Sequence, residues 1–473
     1  MAERKWILIV SLAFIVLVSS STSRIMKSSQ LQYSYMGELT SMILGKLRFW
    51  ATFNNGVDDN AAKSRAIGPN MTACHHSYGR PDLLVYCCPP GFEKSVPFVD
   101  FEFPDPRSLV RLRRPAHLLN ESYIAKYNKA LSIMKSLPYD DPRSFARQAE
   151  LHCQFCTGAY EQLNHSDSSV NIHRCRLGLG YPEGMPIPDY YVNKKLAFFH
   201  TERDFSHFPP RVADLAYSTD QNHPHVSNDE QTDVNLKFMH TQMVSGARKT
   251  ELFMGCAYKA HDGYCNSPGT IESAPHNTLH TWIGSSFNPG REDMGKFYSA
   301  AKDPIFYAHH SNIDRLWEVW REINDQRLDI TDPDWLDSFF FFYDENLKLV
   351  KSKVRDVLDI TKLGYSYEEV DHPWLSHRPP PPDGRVLDGI ITVKVSRSMK
   401  RESKEEEEEE AIVVYGIKVK GNDYVKFDVY VNLSDETKMN PKFREFAGTF
   451  AHIPGGGDAM KKKVKLKLEF RNC

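Results

Sequence analysis

Two histidine pairs limit what this chain can fold into. His276 and His280 stand in Ser-Ala-Pro-His-Asn-Thr-Leu-His-Thr-Trp, and His309-His310 in Asp-Pro-Ile-Phe-Tyr-Ala-His-His-Ser-Asn-Ile-Asp-Arg-Leu-Trp. Residues four apart on a helix point the same way, so His276 and His280 can offer two imidazoles to one metal ion. The second pair lies in an apolar helical run (Ile313, Leu316, Trp317, Trp320) and supplies a third. Three nitrogens with one position left open fit copper or zinc, and affinity alone does not choose between them. The fold must therefore bring two helices face to face around a buried ion.

The words around these histidines resemble the plant polyphenol oxidases, the catechol oxidases and tyrosinases whose active site is a type-3 dicopper centre. Residues 269–284 and 297–310 resemble that family's second copper site, and Asp-Pro-Asp-Trp-Leu-Asp-Ser (332–338) resembles the family segment immediately C-terminal to that site. Lys-Phe-Asp-Val-Tyr-Val-Asn (426–432) resembles the signature of its C-terminal domain. The resemblance implies that His276, His280 and His310 bind the second copper, with His309 a neighbour. It implies that Phe297 is the gate whose ring lies over that copper. Glu272 would hold a water that Asn277 helps to orient, and such a water could deprotonate a monophenol. Having both residues leaves monophenol o-hydroxylation open. Asp314, one turn beyond His310, is expected either to accept a hydrogen bond behind the site or to pair with an arginine.

A type-3 centre needs a second set of histidines. Gln148-Ala-Glu-Leu-His152-Cys153-Gln-Phe-Cys156 resembles the start of the family's first copper site. By that resemblance His152 is a ligand, His173 is the next, and Cys156 is joined to His173 by a thioether. The third ligand belongs in an aromatic Phe-Pro-Phe-His-Arg helix, but position 182 is Pro and the chain rejoins the pattern at Tyr181–Tyr190. A core helix of the pattern is missing there, which should leave a cavity or expose apolar surface. The implied function is copper-dependent oxidation of o-diphenols (catechols) to o-quinones by O2. The alternative is a catalytically impaired remnant or splice form that keeps the fold and only the second copper, so that one ion replaces the family's two.

With 59 basic and 61 acidic residues the chain is nearly neutral, which excludes nucleic acid as an implied partner and leaves a small phenol and O2. Met-Ala-Glu-Arg-Lys followed by the apolar run Trp6–Val18 reads as a secretory signal peptide over 1–23, with no stable membrane insertion after its removal. A leader follows over 24–73. The expected destination is vacuolar or extracellular, the alternative being the thylakoid lumen. Nine cysteines suggest disulfides. Adjacent Cys87 and Cys88 each need a distant partner, with Cys74 and Cys153 the candidates; the family resemblance implies Cys74–Cys88 and Cys87–Cys153. Cys256 and Cys265 could close a local loop.

Periodicity predicts a mainly α architecture, a helical-bundle metal-binding domain over 74–345 with helices at 119–136, 142–163, 230–246, 276–283 and 304–323, which the family resemblance implies is a dicopper domain. Its first part, 74–118, reads as an irregular arm pinned by the disulfides. Residues 346–387, just after the Asp-Trp-Leu motif and ending in a Pro-rich run, read as a linker. Alternation at 390–395, 411–419 and 425–432 predicts a C-terminal β-sandwich over 388–473. In the family this domain shields the copper site; here it is expected to be truncated.

Overall fold

The computed structural model describes residues 6–12, 68–78, 84–90, 96–156, 184–219, 226–256, 268–288, 290–324, 327–379, 391–395, 410–420, 424–431, 439–453 and 461–470. Its helical core is built from α1 (Glu121–Ser136), α2 (Phe145–Cys156), α3 (Asn228–His240), α4 (Thr278–Ile283) and α5 (Ile305–Glu322). The starts of α1 and α3 are set by side-chain caps: Asn120 accepts from the Tyr123 N–H and Ser227 from the Glu230 N–H. Helix α5 is buried nearly all round, including His309, His310, Asp314 and Trp320, so it is the central element rather than a surface one. Among the described residues no helix is long and apolar enough to cross a membrane.

A buried ion pair fixes how α5 begins. Arg203 and Asp303 are both fully buried and meet through Nε–Oδ2 at 2.7 Å and a second guanidinium nitrogen to Oδ1 at 2.5 Å. Arg203 also donates to the carbonyls of Tyr191 and Phe198, while Asp303 accepts from the Ile305 N–H. Burial pushes the Asp303 carboxyl up, but Arg203 overrules it and holds the group below its usual range. Every strong donor and acceptor of the pair is thus used, the condition under which a buried pair is tolerated.

The N-terminal arm is less irregular than the sequence suggests. Strands β2 (His75–Tyr78) and β3 (Leu84–Cys87) form a hairpin, and disulfides join Cys74 to Cys88 and Cys87 to Cys153. The second bridge ties the arm to α2, beside His152. Cys256 is disulfide-bonded too, and its expected partner Cys265 lies outside the described residues. Farther along, β4 (Phe98–Asp100) adds in parallel to the hairpin of β6 (Phe339–Tyr343) and β7 (Leu349–Lys353), and β5 (Arg111–Arg113) pairs with β8 (Tyr365–Tyr367).

That pairing corrects the linker expected over 346–387. Residues through 376 are folded, with Leu349, Val354, Tyr365 and Trp374 buried in the cores. Apolar residues spaced between polar ones carry little periodic signal, yet each has a site to fill. Residues 380–390, which include most of the Pro-rich run, lie outside the described residues.

The C-terminal unit pairs two sheets. One has the order β12 (Phe446–His452), β11 (Val425–Val431), β1 (Trp6–Leu12), β9 (Ile391–Val395); the other pairs β10 (Glu410–Lys420) with β13 (Lys461–Phe470). Phe427, Val429, Phe450, Leu466 and Leu468 close the space between them. The period of two then sends Tyr430 to the opposite face, where it and Phe446 join the helical core. The segment Trp6–Leu12, expected as the apolar heart of a removable signal, stands here as a strand between β11 and β9.

Removing one member of the buried pair should be costly. Asp303→Ala leaves Arg203 uncompensated in the interior, and a loss of about 3–5 kcal/mol is expected in denaturant unfolding. A change below about 1 kcal/mol would show that the pair does not anchor α5.

Candidate copper centre

The sequence around 276 explains the local geometry. Ala274 is extended (φ −160°, ψ 138°), so the helical phase carrying His276 begins at Pro275, where a first-turn N–H would have had no partner. His276 and His280 then lie one turn apart with their ring centroids 4.6 Å apart. His310 enters from α5. Its Nε2 lies 3.3 Å from that of His276 and 3.0 Å from that of His280, and the last two are 3.2 Å apart.

Three ring nitrogens at those separations match a metal ion. Ligands at about 2.0 Å around a tetrahedral centre stand about 3.3 Å from one another. The Nδ1–H of His280 donates to the Met294 carbonyl at 2.7 Å, and that of His276 to Asn277 Oδ1 at 2.9 Å. Their Nε2 atoms therefore present lone pairs to each other, an arrangement that is repulsive until a cation sits among them. His309 is close, with a ligand atom within 4.8 Å of those of His276 and His280. Its Nε2 donates to the His276 carbonyl at 3.1 Å and so takes no part in the Nε2 triangle, which His310 completes.

His152 faces this triad from α2. It donates through Nδ1 to the Phe297 carbonyl at 2.8 Å, and its ring centroid is 5.6 Å from that of His310. Phe306 flanks both, stacked on His310 at 3.9 Å and edge-on to His152 at 4.6 Å. Of the other first-site residues, His173 lies outside the described residues, as does the side chain of Cys156 at the end of α2.

All five imidazoles are buried, and burial depresses their basicity: His276 to about 4, His152 and His309 to about 3, His280 and His310 well below the usual value. They are neutral at physiological pH, the state in which imidazole binds metal. Of the two readings left open for Asp314, the pairing with an arginine is the one seen. Asp314 accepts from the Tyr365 and Tyr367 hydroxyls at 2.9 and 2.6 Å and lies 3.7 Å from Arg113.

The C-terminal unit reaches this centre. Ile453, nearly fully buried, packs against the Phe297 ring, and Asn277 Nδ2 donates to the Ala451 carbonyl at 2.8 Å. Sequence reasoning misses both contacts. Ile453 follows the end of a strand that no alternation signal marks, and the Ala451 partner is a backbone oxygen.

A helical core that converges neutral imidazoles on one point, under a β-rich cover, defines a histidine-ligated metal enzyme. Residues 123–323 match the model of the common central domain of tyrosinase, 329–380 the polyphenol oxidase middle domain, and 384–472 the chloroplastic polyphenol oxidase C-terminal domain. Aureusidin synthase of Antirrhinum majus is 38% identical over 81% of this chain and 78% of its own length. The chloroplastic polyphenol oxidase of Malus domestica is 36% identical over 89% and 81%. The solved structure of latent apple tyrosinase superposes with a TM-score of 0.71 at 38% identity, covering 79% of this chain and 92% of that one. The chain belongs to the plant polyphenol oxidase family, a copper-dependent family that oxidises phenols. The vacuolar or extracellular destination expected from the N-terminus is corrected by these relatives. Those from apple, grapevine, apricot, broad bean and sweet potato are named chloroplastic, which points to the plastid.

The buried histidines make a pH dependence for the metal-free protein. Their folded-state values lie below the unfolded value near 6.5, so the unfolded chain takes up protons that the folded chain refuses. Stability is complete above about pH 6.5 and falls as pH drops toward 4, by about 1.4 kcal/mol per pH unit for each such histidine. Thermal unfolding of metal-free protein across that window measures it; a flat profile would contradict neutral burial.

Proposed function

We propose that this chain oxidises o-diphenols to o-quinones with O2, and that the C-terminal unit holds it in a latent state. The observation that carries the reading is the Nε2 triangle of His276, His280 and His310, with the His152 ring 5.6 Å from that of His310. Copper bound there supplies the electron-accepting and O2-binding chemistry. The protein's part is to keep the imidazoles neutral and aimed, to exclude water, and to control entry.

Entry is where Phe297 and Ile453 act. The Phe297 ring offers a phenol an aromatic face, and Ile453 occupies that face in the covered state. Asn277 is committed as well, its Oδ1 to His276 and its Nδ2 to Ala451. A water-orienting role for Asn277 beside Glu272, and with it monophenol o-hydroxylation, therefore becomes available once the Ala451 contact is released.

A second reading, an impaired form with the second copper alone, is favoured by Pro182 at the position where the family places a ligand. Copper per chain separates the two. Reconstituted protein, cut in the Pro-rich segment 378–384, is expected to hold two coppers and to form quinone from catechol, faster than before cutting. One copper and no quinone would overturn the enzyme reading in favour of the remnant. His310→Ala should abolish copper at the second site, whereas His309→Ala should retain it; equal losses would contradict the ligand assignment.

A further inference from the structure

Met294 and Phe297 are three residues apart in one loop between α4 and α5, yet their carbonyls serve opposite sides of the centre. Met294 accepts from His280, a ligand of the second site, and Phe297 from His152, on the first-site helix. A single short span of backbone thus aims one imidazole from each side. Carbonyls can orient a ring only if the span that carries them is held still, and neither can be tuned by a side chain of its own.

The groups that hold this span are buried. The Tyr298 hydroxyl donates to Glu292 Oε1 at 2.5 Å, and the two residues are 6% and 3% exposed. The bond crosses the loop and brackets Met294 and Phe297 between its ends. On the near side the Glu292 carbonyl accepts from the Ser285 N–H, which ties it to the stretch of chain leaving α4. On the far side the Tyr298 ring packs with Cys87 and Cys153, the disulfide next to His152. Two further braces, His200 to Asp293 Oδ2 at 2.7 Å and Ser299 Oγ to the Asp293 carbonyl at 3.1 Å, act on the loop's other residues. A hydrogen bond in such a dry position is stronger than the same bond in water.

We propose that Tyr298 and Glu292 are positioning residues for the copper centre: through their mutual hydrogen bond they fix the Met294 and Phe297 carbonyls, and so the aim of His280 and His152. Neither touches an imidazole. The inference rests on the copper reading above, because it concerns how firmly the ligands hold that ion.

The test is the rate at which a chelator strips copper from the full-length, copper-loaded protein, expressed per bound copper, beside the Tm of the metal-free protein. Tyr298→Phe deletes the hydroxyl and keeps the ring on the disulfide. It should speed copper release roughly tenfold, the scale on which groups behind metal ligands act, with the Tm of the metal-free protein lowered only by the few degrees that one lost buried hydrogen bond costs. Glu292→Leu should do the same, and Glu292→Gln, which keeps an acceptor oxygen, should restore slow release. Tyr190→Phe removes a hydroxyl whose hydrogen bond goes to the Ala116 carbonyl, outside the loop, and serves as the control. Release at the unsubstituted rate in both Tyr298→Phe and Glu292→Leu would overturn the proposal, as would equal acceleration by Tyr190→Phe. A chain that takes up no copper would instead contradict the enzyme reading itself.

Discussion

The structure depends on where the outward nitrogens of the histidines send their protons. Met294, Phe297 and Asn277 each accept an Nδ1–H, and the corresponding Nε2 atoms are left as bare lone pairs facing the interior. This costs the apo fold a cluster of mutually repelling acceptors, buried deeply enough that protonation cannot relieve them. The site is therefore built for an ion before the ion arrives. The surrounding packing, from the Arg203–Asp303 pair to the Asp314 cluster, keeps α4, α5 and the loop between them from relaxing away from that arrangement.

The cover adds a second level of control. The C-terminal sheets are not a loosely appended domain, since Tyr430 and Phe446 are buried in the same core as α3 and α5. Lys442 meets Glu230 at the edge of that contact. Ile453 on Phe297 and Ala451 on Asn277 are the two points at which this packing reaches the chemistry. The cover and the ligand geometry meet at Asn277, whose amide nitrogen donates to the Ala451 carbonyl while its Oδ1 accepts from His276.

Much of this is legible in the sequence because chemistry and periodicity coincide there. The four-residue spacing of His276 and His280 and the apolar stripe around His310 require the helices that are seen. Preferring His310 to His309 comes from resemblance, and it is the His310 Nε2 that closes the triangle with His276 and His280. The pairing of Cys87 with Cys153 is likewise implied by resemblance and is found. Backbone acceptors such as Met294 and Phe297 leave no mark in a sequence, because any residue has a carbonyl. Residues 346–376 look like a linker because their buried side chains, Trp374 above all, are scattered among polar ones without a period. Strand Phe446–His452 escapes a pattern search because it is buried on both faces, whereas Lys461–Phe470 does carry the period-2 signal, its lysines alternating with Val464, Leu466 and Leu468, and the strands expected from alternation omit it.

Copper-edge anomalous diffraction from crystals of the copper-loaded protein tests the central claim most directly. The account expects an anomalous peak within about 2.0–2.1 Å of the Nε2 atoms of His276, His280 and His310, with their Nδ1 atoms facing away. Copper bound through an Nδ1 atom, or to His309 in place of His310, would contradict it.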